Sequence, residues 1–352
     1  MDSNKTVVTK ETKNKIHVDY EGKMTVKEKF LSKIKASNTW ITGIVNLFRF
    51  ILMLGVSYVI LYPFISRIAG SFMTKEDIVD ATVSLIPKHF TLDIYKFIIV
   101  ENNYWSAFWN TALVSVLSAL IQTLVACLIG YGLAKFKFKG NSAVMLAVIV
   151  SMIIPHSALK LAFRQHFSRF DLLTVQSWGM KGIFELILGQ PVQLLDTFWP
   201  LALLSLCGLA FKNGLYIYLM RQFFKGVPDE LEESAYVDGS GVFRTFFQII
   251  LPLSIPMMIT IFLFSFSWQW TDEFYTSMFW MDSINKFYLM PDVYKSVPPS
   301  FLNLEKTFAG WGLYKNVIQN TAGLLIIAPL VVLYLFCQRY LVQGIERSGI
   351  VG

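Results

Sequence analysis

Beyond about residue 43 the chain alternates long apolar stretches with shorter polar ones. A helix needs about 20 mostly apolar residues to cross the hydrocarbon core of a bilayer. Six stretches reach that length, at about 44–72, 108–134, 142–162, 198–223, 252–275 and 317–340. The pattern predicts an all-α membrane protein with six transmembrane helices. Three longer intervals, about 73–107, 163–197 and 276–316, carry aromatic and proline positions such as Phe287 to Pro291 and Val297 to Pro299. Their length fits folded caps that could touch a soluble partner, or ordinary solvated loops.

Composition agrees with the pattern. The chain is 54% hydrophobic and 16% charged, with a mean hydropathy of +0.51, where a soluble domain carries about 25% charged residues. The net charge of +7 is not a nucleic-acid signal, because lysines concentrate in the first 40 residues and in short connections. Nine lysines precede the first apolar stretch, so residues 1–43 read as a basic tail lying near anionic lipid and not as a cleavable signal peptide. Lys135, Lys137 and Lys139 lie in one connection, Arg221, Lys225 and Arg244 in another, and Arg339 and Arg347 near the end. Placed inside by the positive-inside rule, these basic residues put both termini in the cytoplasm. The expected organisation is a tail over 1–43, a six-span unit over 44–345 and a short cytoplasmic tail over 346–352. Cys127, Cys207 and Cys337 each fall within a span, without paired or metal-ligand spacing, and read as small buried apolar residues.

One interval breaks the apolar pattern with acids. Pro228 suits a first helical position, and Asp229, Glu230, Glu232 and Glu233 crowd the first turns, where negative charge complements the helix dipole. Gly239 can take the left-handed conformation that ends a helix. A second helical piece is expected from about Ser240 to Ile250, with Pro252 opening the next span. Leu231 and Ala235 are expected on one side of the first piece.

This segment resembles the EAA loop of permeases of ABC importers: Glu233-Ser234-Ala235, then Gly239, then Ile250-Leu251-Pro252. Ser234 stands where the pattern usually has alanine. Arg221 to Phe224, Phe264 to Trp270, Tyr131 to Gly140 and Gln338 to Gly344 are similar to the sugar-importer branch of that family, and the resemblance covers roughly residues 45–352. It implies a type I importer permease whose loop, about 227–252, forms a cytoplasmic coupling helix docked on an ATP-binding subunit. By resemblance Glu230, Glu233, Ser234, Ala235, Asp238, Gly239, Leu251 and Pro252 carry the coupling. The implied partners are a second homologous permease, two ATP-binding cassette subunits, an extracellular solute-binding protein and membrane lipid. ATP and magnesium would sit on the partner ATPase, and this chain would bind no cofactor and no metal. The implied setting is the bacterial cytoplasmic membrane, and the implied cargo a mono- or oligosaccharide moved inward. A glycerol-phosphate compound is the alternative cargo, and an ion-driven secondary transporter the alternative class.

Polar groups inside a span are costly unless they face a cavity or a partner. Trp268, Gln269, Trp270, Asn213 and Asn110 are therefore candidates for the substrate path. The tryptophans fit an outer interfacial belt equally well, and Lys212 with Asn213, followed by Gly214, fits interhelical hydrogen bonding or, as the functional alternative, a kink or cavity near Gly214. Pro155 is expected to distort the third span. No phosphate-binding Gly-x-x-x-x-Gly-Lys loop is present, no Gly-x-Ser-x-Gly elbow, and the four histidines form no metal set. Nothing in the pattern supports an enzyme.

Overall fold

Continuous apolar runs give continuous helices here, and the architecture turns on where those runs break. The computed structural model describes residues 37–172, 182–280 and 287–349. Among them there are no strands, only two isolated bridges, Met73 with Phe90 and Phe170 with Val192. The chain divides into two units at Ser66. Most of the first helix, α1 (Ser37–Gly70), belongs to the first unit; its apolar residues from Ile44 to Ile65 are exposed. Residues 1–36 of the expected tail over 1–43 lie outside the described residues, and residues 37–43 belong to α1.

The second unit is built around α4 (Tyr104–Lys135), which packs against α9 (Asn213–Lys225) and α12 (Leu251–Trp270); α12 packs in turn on α17 (Trp311–Gly349). Gly130 permits the closest crossing. A Cβ there would lie 2.6 Å from Met220 Cβ and 2.9 Å from the Arg221 backbone nitrogen. Around this crossing Tyr131, Phe223, Phe224, Phe246 and Ile250 close a core.

Among the described residues four helices are long and apolar enough to cross a membrane: Thr42–Gly70, Tyr104–Lys135, Val242–Trp270 and Trp311–Leu341. They match four of the six expected stretches. The other two are broken. The third stretch is α5 (Asn141–Ile153), a 3-10 turn over His156–Leu159 and α6 (Lys160–Ser168), with an 89° bend between the two parts. Pro155 lies at that bend in extended conformation, so the expected distortion is a full break. The fourth stretch is α8 (Trp199–Leu206), then a tight reversal, then α9. Gly208 (φ +70°) and Lys212 (φ +68°) are both left-handed there. A continuous helix over 198–223 is thus corrected, because left-handed residues cannot propagate a right-handed ladder. Cys207 ends α8 and is exposed, contrary to the buried expectation; Cys127 is buried.

The three longer intervals between the apolar stretches are folded where they are described. α2 (Lys75–Val79) and α3 (Asp93–Glu101) fill the first, while the second holds α7 (Ile183–Leu188) and its residues 173–181 lie outside the described residues. The third carries α13 (Phe274–Phe279), α14 (Met290–Lys295), α15 (Pro299–Leu302) and α16 (Leu304–Thr307). Pro291 and Pro299 each open a short helix, where a missing N–H goes unnoticed. These pieces are pinned to the long helices: Asn102 Nδ2 donates to Ser296 O at 2.7 Å, and Met290 N–H donates to Thr111 Oγ1 at 3.0 Å. Helix α17 continues to Gly349, so residues 346–349 extend the last helix.

Candidate functional site

The acidic segment folds as its punctuation predicts. Helix α10 (Glu230–Val237) has Asp229 as its N-cap residue, with Pro228 just outside. It ends in a complete Schellman turn, with Ser240 N–H donating to Ala235 O at 2.9 Å and Gly239 N–H to Tyr236 O at 3.0 Å. Gly239 supplies the required left-handed residue at φ +79°. The second piece begins at α11 (Val242–Thr245) and passes through a π-turn over Phe246–Ile250 straight into α12. Pro252 therefore lies within a continuous helical run and does not begin one. It has no N–H to give to the carbonyl four residues back, and the π-turn absorbs that defect. Leu251 N–H reaches Phe246 O instead.

Two faces of α10 divide the labour. Glu232 and Ala235, three residues apart, point inward and are buried. Glu230, Glu233, Ser234, Asp238 and Gly239 are exposed, and Val237 is 88% and Phe243 81% exposed. Leu231 is also exposed, so it does not share a face with Ala235 as expected. Ala235 packs against its own chain and is buried.

The inward face meets Lys135, the last residue of α4. Its ammonium donates to Val227 O at 2.6 Å, pairs with Asp229 and lies 3.7 Å from Glu232 Oε1. Tyr131 OH donates to Glu232 Oε2 at 3.4 Å. The Lys135 side chain is only 7% exposed and that of Glu232 10%. The Lys135 ammonium beside Asp229 holds that carboxyl below its usual range. Sequence reasoning missed Lys135 and Glu232 as a pair, since more than 90 residues separate them.

The five path candidates scatter. Trp270 is buried in the core, its indole Nε1–H donating to Ile326 O at 2.9 Å. It packs within the core and does not lie in an exposed aromatic belt. Asn110 donates to Tyr288 O at 3.0 Å and ties an outer segment to α4. Asn213 is fully buried and its Nδ2 donates to Ser205 O at 3.3 Å across the break between α8 and α9. Gln269 is buried beside Trp270. Only Trp268 is exposed, and its ring lies beside Lys212 and Phe211.

A buried polar track escaped notice. Gln122 Nε2 donates to Ser205 Oγ at 3.3 Å, and Ser265 Oγ donates to Gln122 Oε1 at 2.7 Å, joining α4, α8 and α12. Ser115, Ser118 and Gln122 share one face of α4 by their spacing, a signal that was available. The oxygens of Ser115 and Ser118 and Asn213 Oδ1 are buried without a hydrogen-bond partner.

Beside the two breaks lies a cavity of about 340 Å³, lined among others by Pro155, His156, Leu209, Phe211 and Lys212. Among the described residues no group of His, Cys, Asp or Glu is arranged to hold a metal ion.

Helices of membrane-spanning length, an exposed acidic helix at one end and a polar, cavity-bearing middle define a transport subunit of the membrane. Residues 122–347 match the family described as the binding-protein-dependent transport system inner membrane component, and the chain belongs to that family. It is a multi-pass permease subunit and not an enzyme; it works with ABC partners and a binding protein. A probable starch degradation products permease protein, AmyC, of Thermoanaerobacterium thermosulfurigenes is 29% identical, over 82% of this chain and 90% of its own. The polygalacturonan/rhamnogalacturonan permease protein YtcP of Bacillus subtilis (strain 168) is 26% identical, over 87% of this chain and 97% of its own. Among solved structures, a bacterial ABC transporter that imports the acidic polysaccharide alginate superposes with a TM-score of 0.62. The match covers 87% of this chain and 98% of that one, at 19% identity, a likeness of fold.

Proposed function

We propose that this chain forms half of the translocation pathway of an ATP-driven importer for a mono- or oligosaccharide. A second homologous permease completes the pathway, two ATP-binding cassette subunits drive it, and an extracellular binding protein delivers the sugar. ATP and magnesium belong to the ATPase subunits, and this chain holds no cofactor. Both termini face the cytoplasm. The observation that carries the reading is α10, whose exposed acidic face ends in a sharp turn while its inward face is latched to α4. Relatives named for starch products and polygalacturonan support a carbohydrate cargo.

In this reading Glu230 and Glu233 offer carboxylates to the ATPase cleft, with Val237 and Phe243 as apolar contacts. Leu251 and Pro252 carry the motion into α12. Closure of the two ATPases around ATP moves the docked helices, and the packed spans shift as bodies. Lys135 would hand that shift to α4. The breaks beside α5 and α8 allow the path to rearrange without dismantling the tight core at Gly130.

The test is reconstitution. The chain is purified with its partner permease, ATPase subunits and binding protein, and placed in proteoliposomes. ATP-dependent sugar uptake is expected only when the binding protein is present. Uptake driven by an ion gradient without ATP, or ATP-dependent uptake of glycerol phosphates and no sugar, would overturn the reading.

A further inference from the structure

The two breaks meet at the 340 Å³ cavity, and its chemistry is lopsided. Its titratable lining residues are His156 and Lys212, and no carboxylate lines it. The Lys212 ammonium sits 4.9 Å from the centroid of the Phe211 ring and 4.8 Å from that of Trp268. It forms no ion pair among the described residues. Asp272, one turn beyond Trp268, is turned away to cap α13, accepting from Tyr275 and Thr276 N–H at 3.0 Å each. His156 packs edge-on against Phe211 at 5.1 Å, and its Nε2 lies 3.4 Å from Leu209 O.

A cation within a stretch this apolar is costly and marks a functional path by default. Lys212 is also held left-handed at φ +68°, a conformation that lysine avoids and that persists only where the surroundings impose it. Aromatic faces are a weak partner for an ammonium. An anion entering the cavity would give Lys212 a stronger one, and Phe211 would then be free to cover a sugar ring. A neutral sugar presents hydroxyl donors and is held best by carboxylates and amides, which the lining lacks. The volume lies at the lower end of ligand cavities, about 300–1,000 Å³.

We propose that this cavity binds an acidic sugar unit, with Lys212 and His156 holding its carboxylate and Phe211 covering the ring. The proposal rests on the importer reading and narrows its cargo to uronate-bearing oligosaccharides.

The experiment uses the complete transporter in proteoliposomes, with labelled trigalacturonate and labelled maltotriose as probes and uptake normalised to assembled complex. Trigalacturonate is expected to enter in preference to maltotriose. Lys212→Gln is expected to lower trigalacturonate uptake at least tenfold, and Lys212→Arg, which keeps the charge, to stay within about threefold of the parent. Should Lys212→Gln carry trigalacturonate at the parent rate, or should the parent carry maltotriose alone, the cavity assignment fails while the importer reading stands. If neither sugar enters and neither stimulates ATP hydrolysis, the importer reading fails as well, and the cavity assignment with it.

Discussion

The region around α10 and the broken region around α5 and α8 are built on opposite principles. Near α10, α4 and α9 touch backbone to backbone at Gly130, and Lys135 binds three groups of the segment 227–232 at once. In the middle the same helix α4 presents serines without partners, and α8 and α9 part around left-handed residues and a cavity. Close packing transmits displacement, because interiors at crystal-like density have little slack. Broken helices with lone polar groups have alternatives at low cost. A transporter needs both: one end that moves as a body when pushed, and a middle that changes shape when the push arrives.

Mutations that strike the rigid end should have the largest effects. Lys135→Met removes the cation from a mostly buried cluster and leaves Glu232 unpaired, a loss of about 3 kcal/mol. The expected result is a lower Tm of the detergent-purified complex and loss of uptake. Adding Glu232→Gln should recover much of the stability without the coupling, because no lone buried charge remains. If the double variant were as unstable as the single one, the pair would not be the latch. Gly130→Val comes next. Its side chain would collide with Met220 and the Arg221 backbone, an overpacking cost of about 1–3 kcal/mol. Lower yield of assembled complex, measured by size-exclusion chromatography, checks it.

Gly239→Asp places a side chain at φ +79°, at about 1–2 kcal/mol. Membrane insertion should be normal, while sugar-stimulated ATP hydrolysis falls because the turn re-aims α10. The smallest effect concerns pH. Asp229 has a depressed carboxyl pKa, so its contribution is present above the ordinary carboxylate range and is lost as pH falls through the depressed value. Being exposed, it contributes little. Asp229→Asn should leave uptake at pH 7 nearly unchanged and flatten any acid-side loss of stability, followed by Tm against pH.

What the sequence disclosed follows the same division. Length and apolarity located the bodies of Tyr104–Lys135, Leu251–Trp270 and Trp311–Gly349, though not all of their ends, because nothing in those runs competes with a helix. The breaks were partly hidden. Leu201 to Leu215 reads as one apolar run, and only tertiary packing decides that Gly208 and Lys212 turn left-handed within it. Pro155 signalled distortion but not an 89° bend. The short acidic helix α10 was legible through Pro228, its acids and Gly239, all local signals. Which of its acids is buried was not, since α10 is too short for periodicity to assign a face and Glu232 is chosen by Lys135 from far along the chain. Trp270 drew attention as an indole in a path-like motif, yet its indole N–H meets a carbonyl of α17 in the core. Gln122 was overlooked although it interrupts an apolar run on the same helical face as two serines.

The central claim is that the exposed face of α10 is where force from ATP enters this chain. The direct measurement pairs Val237→Cys, at the most exposed apolar position of the helix, with single cysteines along the cleft of the ATPase subunit, in the assembled complex with and without ATP. Cross-linking at one cleft position, with a yield that changes on ATP binding, is the predicted result. A stable complex in which Val237→Cys reaches no cleft cysteine in either state would contradict the claim and move the coupling surface elsewhere.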